Sequence, residues 1–364
     1  MDITDIYRLL PHRITESLDR MADSLVPDVP PTGNRLCDAL ERIAGFYGGT
    51  IHHTGNRVAD AIDAIADVVA DGLKHSAATA ADLESLMNGD EARFVAQLSS
   101  DLDLGAEAVV VPEGKKATLD LEGHTISGSS ILLEVDGGEA VIKNGTFSSQ
   151  GRSIFVRNGG KLTLDNATVE SDNDCAVTLK GEGASLTMNS GEVKAQEFGV
   201  LLAKDSEFVM NGGTVSATDN AAIGGNGLAS EGNTVITING GTLIGHIKTE
   251  GYIACGIYHP NRGTLNFNGG EIISDGCGIC MRGGQVNING GRIVAKGKSG
   301  VVGKVGDSRV VVGPYAVVYD QSAQYPAKDT MELNIARGVP LIGTDGDIQV
   351  LLTEGAEANI RDLR

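Results

Sequence analysis

Thr234-Val235-Ile236-Thr237-Ile238-Asn239-Gly240-Gly241-Thr242-Leu243-Ile244-Gly245 is the stretch whose reading decides the fold. Polar and apolar residues alternate, β-branched residues dominate, and an Asn-Gly-Gly corner splits two short strands. Related phrases stand on both sides of it: ATLDLEGHTIS, AVIKNGTFSS, KLTLDNATVES, SLTMNSGEVKA, EFVMNGGTVSA, TLNFNGGEIIS and QVNINGGRIVA. They align on Asn144, Asn166, Asn189, Asn211, Asn239, Asn268 and Asn289, with Glu122 in the place of Asn in the first. The steps between the asparagines are 22, 23, 22, 28, 29 and 21 residues. A period in this range marks a solenoid, in which one coil cannot bury its own apolar face and the stack can. No long run of helical period lies between the strands, so the coils are β. We expect an all-β parallel β-helix of about 22-residue coils, with strands about 4.8 Å apart and roughly ten coils spanning on the order of 50 Å.

A second ladder runs in step with the first. Ser153-Ile154-Phe155, Cys175-Ala176-Val177, Phe198-Gly199-Val200, Ala221-Ala222-Ile223, Cys255-Gly256-Ile257, Cys277-Gly278-Ile279 and Ser299-Gly300-Val301 place small and branched residues above one another. The asparagine ladder is expected to be structural. Asn tolerates a left-handed corner, its amide bonds the next Asn in the stack, and the following Gly takes positive φ.

Composition agrees with a thin solenoid. Of 364 residues 50 are Gly, against a usual share of about 7%, and there is no Trp. The net charge of −19 argues against nucleic acid and anionic membranes as partners. Five cysteines are an odd number, and Cys175, Cys255, Cys277 and Cys280 fall on or beside stacked positions. They read as buried thiols rather than a metal or redox set, and neither metal nor cofactor is expected. No signal peptide or apolar stretch of membrane-spanning length is legible, which implies synthesis in a cytoplasm.

Residues 1–75 carry a different, helical repeat. The pattern Arg, apolar, any, acid, small, apolar begins at Arg13, Arg35 and Arg57 and sets Leu18, Leu40 and Ile62 on apolar stripes. Helices this short are marginal alone, so the region is expected to serve attachment or oligomerisation. Residues 76–104 read as a helix and strand capping the tube, 105–318 as the β-helix, and 319–364 as a terminal β cap. Two long coils add loops, and the second gathers His246, Lys248, Glu250, Tyr252, Tyr258, His259 and Arg262, a candidate glycan- or protein-docking cluster.

The phrase Leu119 to Ser127, the coil length and the asparagine ladder resemble the right-handed parallel β-helix of the pectin-lyase-like superfamily, over about Asp101 to Asp320. The Asn-Arg-apolar helices and the run Gly313-Pro314-Tyr315-Ala316-Val317-Val318-Tyr319-Asp320 are similar to segments of structural proteins from tailed phages of gut bacteria. The resemblance implies a virion fibre, spike or capsid decoration, attached to capsid or tail proteins, homo-oligomeric with a trimer favoured, and able to bind host glycans. Superfamily hydrolases combine an Asp-Asp-Cys strand end with Gly-His-Gly and Arg-x-Lys. Here Asp172-Asn173-Asp174-Cys175 is only similar to the first, and the other two are missing. Asp172 and Asp174 are therefore weak catalytic candidates, and a non-catalytic protein is expected. The alternatives are a polysaccharide-cleaving β-helix enzyme and a bacterial surface adhesin.

Overall fold

The computed structural model of the chain describes residues 74–225, 232–246, 248, 255–259, 262–296, 300–305, 308–312, 315–319, 331–344, 346, 348–352 and 358–364. The helices expected in the N-terminal repeat, with Arg13, Leu18, Arg35, Leu40, Arg57 and Ile62, lie outside the described residues. So do Glu250 and Tyr252.

The described chain is a parallel β-helix whose coils have three faces. The first face holds the strand before each asparagine and the second face the strand after it. The third face is a ten-stranded sheet running from Val109–Pro112 to Val350–Leu352. Every pairing between successive coils is parallel and in step. On the first face Lys161 to Leu164 stand opposite Ser185 to Met188, and Thr234 to Ile238 opposite Gly263 to Phe267.

Period-two alternation puts three columns into the tube. The first face contributes Leu119, Ile142, Leu164, Met188, Met210, Ile238, Phe267 and Ile288. The second contributes Ile126, Phe147, Val169, Val193, Val215, Leu243, Ile272 and Ile293. All are essentially inaccessible to solvent. The small residues of the third face answer to the second. A Cβ on Gly256 would lie 2.1 Å from Ile272 Cγ2, and one on Gly278 2.2 Å from Ile293 Cγ2. The narrow interior thus trades a glycine on one wall for a branched side chain on the other.

The asparagine corner is bonded as the sequence predicts, with one break. Asn166 donates to Asn144 at 3.2 Å, Asn211 to Asn189 at 3.0 Å, Asn239 to Asn211 at 2.9 Å, Asn268 to Asn239 at 2.9 Å and Asn289 to Asn268 at 2.8 Å. Between Asn166 and Asn189 the Ser190 hydroxyl intervenes, accepting from Asn166 N and donating to Asp165. The corner changes there. Asn144 and Asn166 are themselves left-handed, at φ 57° and 51°, inside unbroken strands Glu139–Ser149 and Lys161–Ser171. In later coils the positive φ moves two residues on, to Gly191, Gly213, Gly241, Gly270 and Gly291. A second amide ladder joins Asn266, Asn287 and Asn334, at 2.9 and 3.0 Å. Replacing Asn239 with alanine removes one donor and one acceptor bond from the middle of the first ladder. A loss of about 1–2 kcal/mol is expected, checked by urea denaturation of the variant against the unsubstituted chain.

The first coil begins earlier than expected, because Arg93–Leu98 already pairs with Lys116–Asp120. The expected helix of residues 76–104 runs over Ala80–Asn88 and starts where Thr79 caps it. The Thr79 hydroxyl accepts from Asp82 N at 3.2 Å and the Asp82 carboxylate accepts from Thr79 N at 2.9 Å. Its Leu83 and Met87 are buried in the tube's core cluster.

Three expectations need correction. The triplet Ser153-Ile154-Phe155 is one residue out of step. Ile154, not Phe155, stands opposite Val177, so Ile154 faces in and Phe155 out. Ser299-Gly300-Val301 is no rung of the ladder. Gly300–Val305 and Ser308–Val312 form a separate antiparallel pair, and the rung after Ile279 is Val317. Residues 319–364 are no distinct cap either, because their strands continue the coils. Met331–Ile335 pairs with Gln285–Ile288, Val350–Leu352 with Val317–Tyr319, and Ala358–Asp362 with Met331–Ile335.

Candidate functional site

Polar residues gather at the corner between the second and third faces. The second-face strands end in register at Ser149, Ser171, Ala195, Ala217, Gly245, Ser274 and Ala295. The residues after them stack as a row: Gln150, Asp172, Gln196, Thr218, His246, Asp275 and Lys296. Each from Asp172 on donates its backbone N–H to the coil before, at 2.8 to 3.2 Å. Period two has ended here, so side chains no longer alternate in and out, and the corner is where chemistry has room.

Within this row the catalytic candidates separate. Asp172 is exposed. Asp174 is half-buried and engaged. It accepts from Cys175 N at 2.6 Å and from Arg152 Nη2 at 3.2 and 3.4 Å. Burial raises its carboxyl, but the Cys175 N–H bond and the Arg152 charge outweigh this and hold it below the usual range. Glu197, one coil on, meets it, and one ligating atom each from Asp174, Cys175 and Glu197 lie within 4.8 Å of one another. Burial, then the Asp174 charge, raise the Glu197 carboxyl. Burial, then Asp174, push the Cys175 thiol far up, so it is no thiolate. A protonated thiol and a carboxylate tied to arginine make a poor donor set for a metal ion. The two carboxyls do differ in the sense that acid and base roles require. Glu197 becomes visible only through the register that sets Val177 opposite Val200.

Among the described residues of the docking cluster, Tyr258 and His259 do not lie on the surface. His246 Nδ1 lies 3.1 Å from the nearly buried Asp275 carboxylate. Lys248 N donates at 2.7 Å to the buried Asp219. Tyr258 and His259 belong to the strand Cys255–His259 and are 4% and 1% exposed. Tyr258 packs in a second cluster with Ala221, Cys255, Cys277, Cys280 and Val318, under the Arg282 guanidinium at 5.8 Å. His259 stands in register with Met281, whose neighbour in the next coil is Tyr319, so it occupies an inward column. Arg262 precedes the strand Gly263–Phe267. The sequence suggested a loop because the Pro260-Asn261 turn signal follows, yet the apolar third face claims both residues first. The four described cysteines are buried, as expected, and none of them is in a disulfide.

Burial lowers the His259 imidazole to about 4, against a smaller opposing effect from a hydrogen bond to the Gly263 backbone. The unfolded chain therefore binds the extra proton first. Stability from this group is complete above about pH 6.5 and is lost as pH falls toward 4. Urea midpoints should decline across that window, and His259→Gln should flatten the decline.

The family model described as right handed beta helix region matches residues 100–243. With the parallel coils above, the fold is a right-handed parallel β-helix. No curated protein and no solved structure is significantly similar to the chain. Among the described residues no helix is long and apolar enough to cross a membrane.

Proposed function

We propose that the chain is a non-catalytic structural protein of a phage virion, a fibre, spike or capsid decoration. In this reading the N-terminal repeat attaches it to capsid or tail proteins, the β-helix projects, and its polar corner binds host-surface glycans. The observation that carries the non-catalytic part is the state of Asp174, whose carboxylate is committed to Arg152 and to the Cys175 N–H. The phage-like motifs of the N-terminal repeat and of Gly313 to Asp320 support the virion part.

Immunogold labelling of particles from the source culture, with an antibody to residues 105–364, tests it. Gold on capsids or tails is expected, and unlabelled particles beside labelled cells would overturn the virion reading. The Asp174–Glu197 pair favours a second reading, cleavage of a polysaccharide. Product release from bacterial surface polysaccharide that disappears in both Asp174→Asn and Glu197→Gln would establish that reading instead.

A further inference from the structure

On the same corner, toward the N-terminal end of the stack, lies an open groove of about 370 Å³. It crosses four successive coils. Asp103 stands on the first, Ser127 and Ser129 on the second, Ser148 and Gln150 on the third, and Asp172 on the fourth. Glycines Gly105 and Gly128 form part of its floor. The glycine at 128 is obligatory, since a Cβ there would lie 2.7 Å from both Gly105 O and Leu132 Cδ2.

The lining contains hydroxyls, an amide and two carboxylates, with no apolar side chain and no base. Some of these groups serve the backbone. The Ser129 hydroxyl donates to Gly105 O at 3.0 Å, and Asp103 accepts from Gly105 N at 2.9 Å. The Ser148 hydroxyl, the Gln150 amide and the Asp172 carboxylate are not used in this way and present their hydrogen-bonding capacity to the groove. Asp103 and Asp172 are three rungs apart, roughly 14 Å at about 4.8 Å per rung. One calcium ion, with bonds of about 2.3–2.6 Å, does not bridge that distance.

We infer that this groove is a saccharide-binding site for a linear oligosaccharide lying along the coil axis. Hydroxyl and amide groups recur at the rung spacing, which suits the repeat of a sugar chain. The two carboxylates accept from sugar hydroxyls or amines and repel uronic acids, so the ligand is neutral or amino-bearing. The inference rests on the glycan-binding part of the proposed function and gives it a site away from the His246–Lys248 cluster.

Isothermal titration of the full chain with chitosan tetrasaccharide, cellotetraose and tetragalacturonate tests it. Binding of either of the first two and none of the third is expected. Gln150→Ala and Asp172→Ala, both exposed and therefore harmless to folding, should each weaken it about tenfold or more. Binding unchanged in these variants but lost in His246→Ala/Lys248→Ala would place the glycan site elsewhere, overturning the groove and keeping the glycan reading. Tight binding of tetragalacturonate would overturn the charge argument. No binding by a folded wild-type chain to any of the three would overturn the groove inference while leaving the virion assignment to the labelling experiment.

Discussion

Phe267→Ala is expected to open the middle of the β-helix while leaving its first coils intact. Phe267 is fully buried, with Ile238 on the coil before and Ile288 on the coil after. The ring also reaches under the next corner, where a Cβ on Gly291 would come within 2.6 Å of it. Nothing else in that column can swing into the space, because each neighbour is fixed by its own rung. Truncation should therefore leave most of the cavity unfilled, at a cost of about 3–5 kcal/mol. In a solenoid each coil contacts only its neighbours, so the loss stays local. Hydrogen exchange should quicken by a factor of about 10²–10³ at the amides of Thr234–Ile238, Gly263–Phe267 and Gln285–Ile288. The amides of Lys161–Ser171 should keep their protection. A uniform acceleration along the chain would show that the stack unfolds as a single unit and that the nearest-neighbour picture is wrong. Phe155→Ala, on the outer side of the third face, should produce neither effect.

What could be read from the sequence follows from where the period holds. The two strands around each asparagine alternate cleanly, so their faces, their register and the amide ladder were legible, except for the break at Ser190 and for the positive φ, which falls on the asparagine itself or on the second residue after it. The third face was harder. Its triplets are marked by a small middle residue where a second-face side chain presses close, as with Gly199 against Val215 and Gly256 against Ile272. At Ser153-Ile154-Phe155 that marker is missing, and apolar Phe155 draws the frame one residue away. The rung at Val317 was hidden because an antiparallel pair, Gly300–Val305 with Ser308–Val312, is inserted before it. A period test sees such an insertion as the end of the repeat. The site was less legible still. Asp172 and Asp174 were found because they stand near a known type of motif. Arg152, which with the Cys175 N–H holds Asp174 low, and Glu197, whose own carboxyl Asp174 raises, lie one coil to either side and resemble nothing by themselves. Only the stacking register brings them together. His259 failed in the opposite direction. A histidine beside a Pro-Asn turn reads as exposed, but its place in the strand puts it in an inward column.

The glycines offer a sharper test, because two of them share a φ and differ in what an added Cβ would meet. Gly181 has φ +100° with nothing within 4 Å of an added Cβ, and Gly191 has φ +98° with the Ala167 carbonyl oxygen at 2.1 Å. At that φ an alanine at either position is strained, by about 1–3 kcal/mol. At Gly181 that strain is the whole effect. At Gly191 the methyl group also strikes the backbone of the coil beneath, where Ala167 is the direct rung partner. A backbone atom cannot rotate aside as a side chain can. The two coils must part, and parallel pairing between Lys161–Ser171 and Gly191–Ala195 has to loosen. We therefore expect Gly191→Ala to cost at least about 1–3 kcal/mol more than Gly181→Ala. The midpoints of urea unfolding followed by circular dichroism measure the difference, and a soluble yield lost only in the Gly191 variant would point the same way. Equal midpoints would mean that the coil spacing at this corner is soft. The close stacking of glycine on the coil below would then not be what sets the rise of the helix.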